Sequence, residues 1–284
     1  MLGHVVMRVF QKDHRFRVVG TQMNDRQRPG YLNVREGARG LHWIFETYGG
    51  FDYCINCIGI TANKINAQDP RSVTMARRIN SVFPLQLAKA AKAFQANVIH
   101  ISTDGVFRGT KPSYFEDSRP DCCDVYGKTK LAGEVDADHV LNIRCSIIGP
   151  SPYERGGLWE WFAGLPKTSR VQGFSNHIWH GVTTLQFAQL CQRIILKNCF
   201  QDLRRKSGVY HFAPNRPLNK YALLDTLKRF LKKDVSIERS VQGKGKVRRI
   251  LRSRFKGLRK IFPYGTTMRD AVGQLLIYER KKNG

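Results

Sequence analysis

Residues 97–104 read NVIHISTD, and residues 126–130 read YGKTK. The first run is rich in β-branched residues and ends in Ser102, Thr103 and Asp104, which is typical of a buried strand with polar side chains at its carboxyl end. The second run places Tyr126 and Lys130 four residues apart, on one face of a predicted helix. Together the two runs predict a strand, a loop and a helix of a parallel α/β sheet.

The spacing of Tyr126 and Lys130 has a chemical use. An ammonium group close to a phenol favours the phenolate, so a tyrosine whose ordinary pKa is near ~10 would exchange protons nearer neutrality. A hydroxyl group from Ser102 or Thr103 is well placed to hold a substrate carbonyl against the phenol, which describes a proton-donor site for carbonyl reduction. The same spacing also occurs on ordinary exposed helical turns, so the surrounding sequence has to decide.

The wider sequence resembles a known family. The matching stretches are 51–59, 78–84, 97–107, 126–134, 142–144 and 208–212, which together span most of residues 1–215. The sequence is similar to the extended short-chain dehydrogenase/reductases, and among these to the dTDP-4-dehydrorhamnose reductases. The resemblance implies an α/β fold, with a Rossmann-like doubly wound parallel sheet in residues 1–149 and 181–213 and a smaller substrate-binding lobe in residues 150–180 and 214–284.

Local patterns agree with a doubly wound sheet, in which crossover segments join parallel strands. Short β-rich runs alternate with longer helical patterns, and Gly149-Pro150-Ser151-Pro152 marks a boundary after which the pattern becomes irregular. We predict strands at Phe16–Gly20, Phe51–Gly59, Asn97–Ser102, Val140–Ile148 and Val209–Phe212, and helices at Val73–Phe94, Tyr126–Ala137 and Thr183–Leu196.

The amino terminus departs from the family pattern. The family begins with a strand and a Gly-x-x-Gly-x-x-Gly turn, which brings a dinucleotide pyrophosphate to the start of a helix. This sequence opens with Met1-Leu2-Gly3-His4, in which only Gly3 matches, as the third glycine. We expect either a polypeptide that starts further upstream or a truncated form with a damaged cofactor site. The upstream start is favoured, because loss of a central strand exposes apolar sheet edges.

The resemblance implies a nicotinamide cofactor. An NAD site carries an acidic residue after the second strand to accept the ribose hydroxyl groups, whereas this sequence has Gln22-Met23-Asn24, followed by Asp25 and Arg26. The missing acid and the nearby guanidinium groups favour NADP(H), with NAD(H) as the alternative. The cofactor-binding residues implied by the family are Gly3, Gln22, Arg26, Asn33, Val34, Asn56, Ile58, Gly59, Ile101, Tyr126 and Lys130.

The family further implies reduction of a nucleotide-linked 4-keto-6-deoxy sugar, in cell-surface polysaccharide biosynthesis. Tyr126 would protonate the developing alkoxide, and Thr103 would hydrogen-bond its oxygen, with Ser102 as neighbour or substitute. Lys130 would orient the nicotinamide ribose and lower the pKa of the phenol. Asn80 corresponds to the helix asparagine behind the catalytic lysine. The implied substrate-binding residues are Thr103, Asp104, Val106, Asn176 and His177.

The composition fits a cytoplasmic enzyme. Of the 284 residues 42% are hydrophobic, but no apolar run approaches the ~18 residues of a membrane span. The first residues lack the apolar core and the cleavage site of a secretory signal, so we expect a cytoplasmic location, with a homodimer as one option. Cys54 and Cys57 have metal-ligand spacing, but strand residues three apart point to opposite faces, and we therefore expect no metal site.

The net charge is +26, from 48 Lys and Arg residues against 22 Asp and Glu residues. Such a balance suggests a polyanionic partner. The densest basic segment, Arg239 to Lys260, contains Phe255 as its one aromatic residue, whereas a nucleic-acid-binding arm interleaves its charges with stacking aromatics. We interpret the segment as a solvated basic face that binds nucleic acid only non-specifically, with contact to a substrate diphosphate as the alternative.

Two other functions remain open at this point. The same fold serves as the non-catalytic, NADP-binding regulatory beta subunit of methionine adenosyltransferase, which resembles these reductases. The second alternative is a basic nucleic-acid-binding protein on a Rossmann scaffold. The intact set of Ser102, Thr103, Tyr126 and Lys130 favours catalysis.

Overall fold

The computed structural model describes residues 1–21, 32–33, 37–152, 156–243 and 245–280. Strands alternate with helices along most of the chain. The strands are β1 Tyr53–Asn56, β2 Asn97–Thr103, β3 Val140–Cys145, β4 Ile147–Ile148, β5 Arg170–Phe174, β6 His177–Trp179, β7 Val182–Thr183, β8 Val209–His211, β9 Leu218–Asn219, β10 Ser236–Ser240 and β11 Val247–Arg248. The helices are α1 Leu2–Gln11, α2 Ala38–Thr47, α3 Pro70–Arg77, α4 Phe83–Ala93, α5 Val125–Leu131, α6 Leu158–Ala163, α7 Thr184–Leu196, α8 Phe200–Lys206, α9 Lys220–Leu231, α10 Gly257–Ile261 and α11 Met268–Arg280.

A four-stranded sheet in the order β1-β2-β3-β8 forms the centre, and all of its pairings are parallel. Parallel sheets are covered on both faces, so their strands are apolar on both sides. One face of the sheet carries Ile99, Leu141 and Ile143, which pack with α1 and α7. The other face carries Val98 and Val140, which pack with α2 and α4. This confirms the predicted α/β fold with a parallel sheet.

Several predicted elements have shorter bounds in the structure. The helix predicted from 73 to 94 is divided by one π-helical turn, Arg78–Val82, which lies between α3 and α4. The helix predicted to start at Tyr126 ends at Leu131, where Gly133 N and Glu134 N donate to the carbonyl groups three residues earlier, Lys130 O and Leu131 O. Helix α7 matches its prediction and begins with a capping box between Thr183 and Gln186.

The strand predicted at Phe16–Gly20 is wrong. These residues belong to none of the strands, although Phe16 and Val18 pack against the core. The Phe16 ring lies edge-on to Phe10 of α1, with ring centroids 4.7 Å apart. These apolar side chains are therefore partly buried, but a β-ladder also needs a neighbouring strand to pair with, and periodicity does not report that neighbour.

Two smaller sheets lie beyond the carboxyl end of β3. Strand β5 pairs with β10 in parallel, and β6 pairs with β11 and β9. These pairings bring residues 170–179 together with residues 218–248, as expected for a separate lobe. From Leu258 onward, however, the chain contributes Met268, Val272 and Leu275 to the same apolar cluster as α1 and α7. The domain boundaries remain a prediction.

No helix among the described residues is both long and apolar enough to cross a membrane.

Candidate active site

Tyr126 lies at the start of α5, beside the carboxyl end of β2. The helix is capped by Asp124, whose carboxylate accepts a hydrogen bond from Gly127 N at 2.6 Å. Helix α5 packs closely against the turn after β2 at Gly127, where an added Cβ would lie 2.4 Å from the Gly105 carbonyl oxygen. The Thr103 hydroxyl and the Tyr126 ring both lie beside Gly105, where an added Cβ would be 3.2 Å from Thr103 Oγ1 and 3.1 Å from Tyr126 Cε1. The structure thus brings the predicted proton donor and the predicted carbonyl-binding hydroxyl close together.

Lys130 lies one helical turn further along α5 and is buried. Its Nζ donates a hydrogen bond to the Ile101 carbonyl oxygen at 2.7 Å and lies 3.4 Å from His100 Nε2. Burial disfavours the ammonium form and lowers the pKa of Lys130 to about 8, while Glu134 acts in the opposite direction. The lysine therefore titrates near neutral pH.

The Tyr126 phenol does not have the lowered pKa that the Tyr-x-x-x-Lys spacing predicts. Burial raises the pKa of Tyr126 to about 12; the hydrogen bond from Thr103 lowers it, and the carboxyl group of Asp104 raises it. The Lys130 amine is directed at β2 through its bond to the Ile101 carbonyl. Tyr126 consequently stays protonated at neutral pH, which suits an acid that donates a proton.

Asn80 lies in the π-helical turn and is fully buried. Its Oδ1 accepts a hydrogen bond from Ile60 N at 2.9 Å, and its Nδ2 donates to Ile60 O at 3.0 Å and to Thr129 Oγ1 at 3.2 Å. Asn80 therefore connects the segment after β1 to α5, on the helix that carries Lys130. Isolated π-turns are frequent at functional sites.

Ser102 is directed away from Tyr126. Its hydroxyl donates to Glu134 Oε1 at 2.5 Å, and Arg144 binds both oxygens of Glu134 at 2.7 Å. The Arg144 and Glu134 side chains are 5% and 7% exposed. The predicted role of Ser102 as neighbour or substitute for Thr103 conflicts with this arrangement, because the hydroxyl is committed to a buried ion pair.

Asp104 follows Thr103 at the edge of the sheet and is buried. Burial raises the pKa of its carboxyl, and the Arg249 guanidinium lowers it. Val106, in contrast, is fully buried in a small apolar cluster with Phe107 and Tyr114. Its side chain is thus part of the core, and the prediction that Val106 contacts substrate disagrees with its position.

Asn176 and His177 have different surroundings although they are neighbours. The Asn176 Nδ2 donates to Gln242 O at 2.9 Å and to Gly245 O at 2.7 Å, and its Oδ1 accepts from Gln242 N at 3.1 Å. These bonds attach the amide to the backbone of Gln242 and Gly245, which conflicts with its predicted role in binding substrate. His177 is partly buried, and burial together with the nearby Lys220 and Arg249 lowers its pKa.

The predicted cofactor residues divide into three groups. The first group lies near Lys130. Ile101 accepts a hydrogen bond from Lys130 Nζ through its carbonyl oxygen, and Asn56 contacts the His100 ring that lies next to Nζ. An added Cβ at the exposed Gly59 would lie 4.0 Å from Lys130 Nζ. Ile58 lies in the same segment and packs against the α2–α4 cluster, Asn33 is partly buried, and Gly3 lies in the first turn of α1, next to Cys57. Gln22, Arg26 and Val34 lie outside the described residues.

Cys54 and Cys57 pack into the two clusters on opposite sides of the sheet. The described part of the chain contains no group of three or more His, Cys, Asp or Glu side chains arranged to hold a metal ion.

The basic segment contributes one residue to this region that the sequence did not single out. Arg249 Nε donates to Phe107 O at 2.8 Å, and its charge acts on Asp104, His177 and Lys220. The interpretation of the whole segment as a water-facing surface is therefore wrong for Arg249. Charge density along the sequence could not separate Arg249 from Arg248, since the distinction depends on how residues 247–252 pair with the loop after β2.

The family model described as the RmlD substrate binding domain matches residues 50–255, well over half of the chain. The chain belongs to the RmlD family. The resemblance to extended short-chain dehydrogenase/reductases, based on residues 97–134, is thereby confirmed. The matched range includes Asn80, Thr103, Tyr126, Lys130 and Arg249.

Two relatives of this RmlD-family chain have different names. Methionine adenosyltransferase 2 subunit beta of Xenopus tropicalis is 35% identical over 233 residues, which are 78% of this chain and 67% of the relative. A dTDP-4-dehydrorhamnose reductase of Mycolicibacterium smegmatis is 40% identical over 85 residues, which are 29% of this chain and 25% of the relative. The match to the Bos taurus beta subunit covers 39% of that protein.

Solved structures show the same fold. A dTDP-4-dehydrorhamnose reductase from Clostridium acetobutylicum superposes with a TM-score of 0.77 and 19% identity, covering 98% of this chain and 96% of that one. The Bacillus anthracis dTDP-4-dehydrorhamnose reductase in complex with NADP has a TM-score of 0.69 and 16% identity, with 87% of each chain covered. These identities establish the architecture of the RmlD-family chain and nothing finer.

Proposed function

We propose that this RmlD-family chain is a nicotinamide-dependent reductase that acts on the ketone of a nucleotide-linked 4-keto-6-deoxy sugar. The observation that carries the proposal is the position of the Thr103 hydroxyl and the protonated Tyr126 ring on either side of Gly105, with Lys130 one helical turn away. A donor with a raised pKa, placed near a second hydroxyl at the carboxyl end of β2, is suited to protonating an oxygen that gains negative charge.

Each residue has one task in this proposal. The Thr103 hydroxyl orients the ketone oxygen, and Tyr126 gives its phenolic proton to that oxygen as the carbonyl carbon is reduced. The reduced nicotinamide, when bound, supplies the hydride. Lys130 would hold the nicotinamide ribose, and Asn80 keeps the segment after β1 in place against α5. Both hydrogen bonds to the substrate oxygen strengthen as its charge grows, so they act on the transition state.

The residues around Lys130 fit such a cofactor. Gly59 is exposed and lies beside Lys130 Nζ and Asn80 Oδ1, so its backbone is open to close approach. NADP(H) is favoured over NAD(H) because Gln22, Met23 and Asn24 stand where a ribose-binding carboxylate is expected, and Arg26 and Arg28 follow them. The related Bacillus anthracis enzyme was solved with NADP, which supports this preference.

Arg249 and Lys220 support a phosphorylated substrate. Burial and the charge of the nearby Arg249 lower the pKa of Lys220, and the carboxyl group of Asp104 raises it. A nucleoside diphosphate would place negative charge between the two cations, which favours a nucleotide-linked sugar over a free sugar. The cytoplasmic location, the polysaccharide pathway and the homodimer remain predictions.

The test is reduction of a nucleotide-linked 4-keto-6-deoxy sugar with NADPH and with NADH, followed by loss of cofactor absorbance and by identification of the product sugar. We expect turnover with NADPH that Tyr126→Phe reduces by about 100-fold. Turnover that is equal in the wild type and in Tyr126→Phe would remove Tyr126 from the mechanism. An NADH preference would reverse only the choice of cofactor.

The second candidate function is that of a regulatory subunit, because the relatives named methionine adenosyltransferase 2 subunit beta match up to 78% of the chain. Such a protein binds its catalytic partner whether or not it reduces a sugar. Calorimetry with a methionine adenosyltransferase catalytic subunit distinguishes the two functions. Saturable binding without sugar reduction would favour the subunit, and reduction without binding would favour the enzyme.

A further inference from the structure

His100 lies behind Lys130 on the central sheet. It pairs with Asn56 in the register of β1 and β2, and the two residues are 1% and 3% exposed. The His100 Nδ1 lies 3.0 Å from Asn56 Nδ2, and its Nε2 lies 3.4 Å from Lys130 Nζ. The imidazole therefore bridges an asparagine to the lysine of the candidate site.

The Asn56 amide determines which ring nitrogen of His100 carries the proton. Its Oδ1 accepts a hydrogen bond from Ile58 N at 3.1 Å, so its Nδ2 is the atom that faces the ring. An amide NH2 group only donates, and His100 Nδ1 must therefore accept through its lone pair. The neutral ring then carries its proton on Nε2, the nitrogen that faces Lys130.

This proton placement favours the neutral form of Lys130. An ammonium group has three donors and no acceptor, so it cannot hydrogen-bond to an Nε2–H group. A neutral amine has a lone pair that accepts from Nε2–H, while one of its own hydrogens still reaches the Ile101 carbonyl at 2.7 Å. The pocket thus offers one donor, the His100 Nε2–H, and one acceptor, the Ile101 carbonyl oxygen. A neutral amine can bind both, because it has a lone pair as well as N–H groups.

The charged and titratable groups around Lys130 come from several elements. Glu134 follows α5, Cys57 follows β1 and Cys145 ends β3, and a negative charge on any of these favours the ammonium form. The Glu134 charge is balanced by the bidentate bonds from Arg144, and burial keeps both thiols protonated. Burial is the largest influence on the Lys130 amine, and the His100 ring lies 3.4 Å from it.

We propose that Asn56 and His100 are positioning residues that favour the neutral amine of Lys130 over its ammonium form by directing the His100 Nε2–H at it. The pair acts through Lys130. Its purpose rests on the proposed function, since a lysine beside a proton donor is useful when it gains and loses a proton in the working pH range. The hydrogen-bond geometry itself does not depend on any reaction.

The first test is the tautomer of His100 in the protein without nucleotide. Histidine labelled with 15N reports by its chemical shifts which ring nitrogen carries hydrogen, and the signals that vanish in His100→Gln belong to His100. We expect a protonated Nε2 and an unprotonated Nδ1 at neutral pH. The opposite tautomer, or a doubly protonated ring, at His100 of the wild-type protein overturns the proposal.

The second test is the titration of Lys130, followed through 15N-labelled lysine and assigned with Lys130→Arg. In His100→Gln the side-chain carbonyl can turn toward the lysine and accept from an ammonium group, so we expect at least a tenfold fall in the acid dissociation constant of Lys130. The control is His139→Gln, because His139 is bonded to Ala88 O at 2.8 Å. This control should leave the titration unchanged.

Unchanged titration of Lys130 in a folded His100→Gln overturns the proposal, because burial alone would then explain how readily Lys130 loses its proton. Both tests use the apoprotein and need no turnover. Failure of the reductase function would therefore leave these results standing, and failure of these tests would leave the reductase function intact.

Discussion

The region around Lys130, at the carboxyl ends of β1 and β2, and the segment 247–254 are both rich in charged and polar residues, but different hydrogen bonds hold the two in place. Around Lys130 the side chains themselves are fixed: the amine binds the Ile101 carbonyl, and Asn80 binds Ile60 through both atoms of its amide. In segment 247–254 the backbone is fixed instead. Arg248 N donates to Gly109 O at 2.7 Å, and Arg252 N donates to Tyr114 O at 2.7 Å.

The difference shows which charges tolerate replacement. A buried side chain that satisfies a partner cannot be changed without leaving that partner unpaired away from water. Where the hydrogen bonds that hold a residue come from its backbone, its side chain can be replaced at a small cost in stability, unless the end of that side chain binds another part of the protein. Arg249 is such an exception, because its guanidinium binds Phe107 O beside Asp104. The following predictions examine this contrast.

The largest effect is expected for the buried ion pair next to Ser102. Arg144→Met leaves the Glu134 carboxylate without its bidentate partner, and we expect the free energy of unfolding to fall by about 3–5 kcal/mol. The matched variant is Arg254→Gln in the basic segment, whose partner Asp117 is 64% exposed. That variant should cost about 1 kcal/mol, including its contact with the Phe115 ring. Chemical denaturation measures both, and similar losses would contradict the contrast.

Tyr126→Phe removes the phenolic proton while the ring keeps its packing. Turnover should fall by about 100-fold or more, with the thermal unfolding temperature nearly unchanged. Tyr48→Phe, at a partly buried tyrosine that packs against Phe51, is the control and should retain turnover. Loss of turnover in both variants would point to a general effect on the fold.

His211 connects the two regions, since its ring Nδ1 hydrogen-bonds Arg252 O at 2.9 Å. Burial lowers the pKa of His211 to about 4. The native state therefore binds fewer protons than the unfolded state between about pH 4 and 6.5, and stability rises with pH through that window. Acidification from pH 7 to 5 should cost about 1–2 kcal/mol through this residue. His211→Gln should flatten the pH dependence in denaturation experiments, and an unchanged slope would exclude His211 as its source.

The smallest effect separates two neighbouring arginines. Arg249→Gln should raise the Michaelis constant for a nucleotide sugar by about tenfold, or ~1.4 kcal/mol, with little change in maximal rate. Arg248→Gln should leave the constant within about threefold, because its described contact is through its backbone. Equal effects in steady-state kinetics would show that Arg249 contributes only general positive charge.

Residues 97–104 predicted the central strand well, because a strand buried on both faces needs a continuous apolar run and local sequence records that need. The same holds for α7, whose period and capping residues are local. The strand predicted at Phe16–Gly20 failed for the complementary reason. Its apolar residues are partly buried, but strand pairing requires a neighbour that no local pattern specifies.

The candidate site shows the same division. The sequence determined that Thr103, Tyr126 and Lys130 would stand at a strand end and on one helix face, because spacing along a strand or helix fixes direction. Only the tertiary structure decided the protonation of these groups, since burial raises the pKa of Tyr126 and lowers that of Lys130.

The tertiary structure also decided which polar neighbours are free for chemistry. The Ser102 hydroxyl is bonded to Glu134, and the Asn176 amide is bonded to the backbone of Gln242 and Gly245. The charge of Arg249 acts on Asp104. These outcomes depend on contacts between residues far apart in the chain. Residue types and spacings therefore determined which chemistry this protein carries, while the partners available to each side chain, and thus its charge and orientation, were decided by packing.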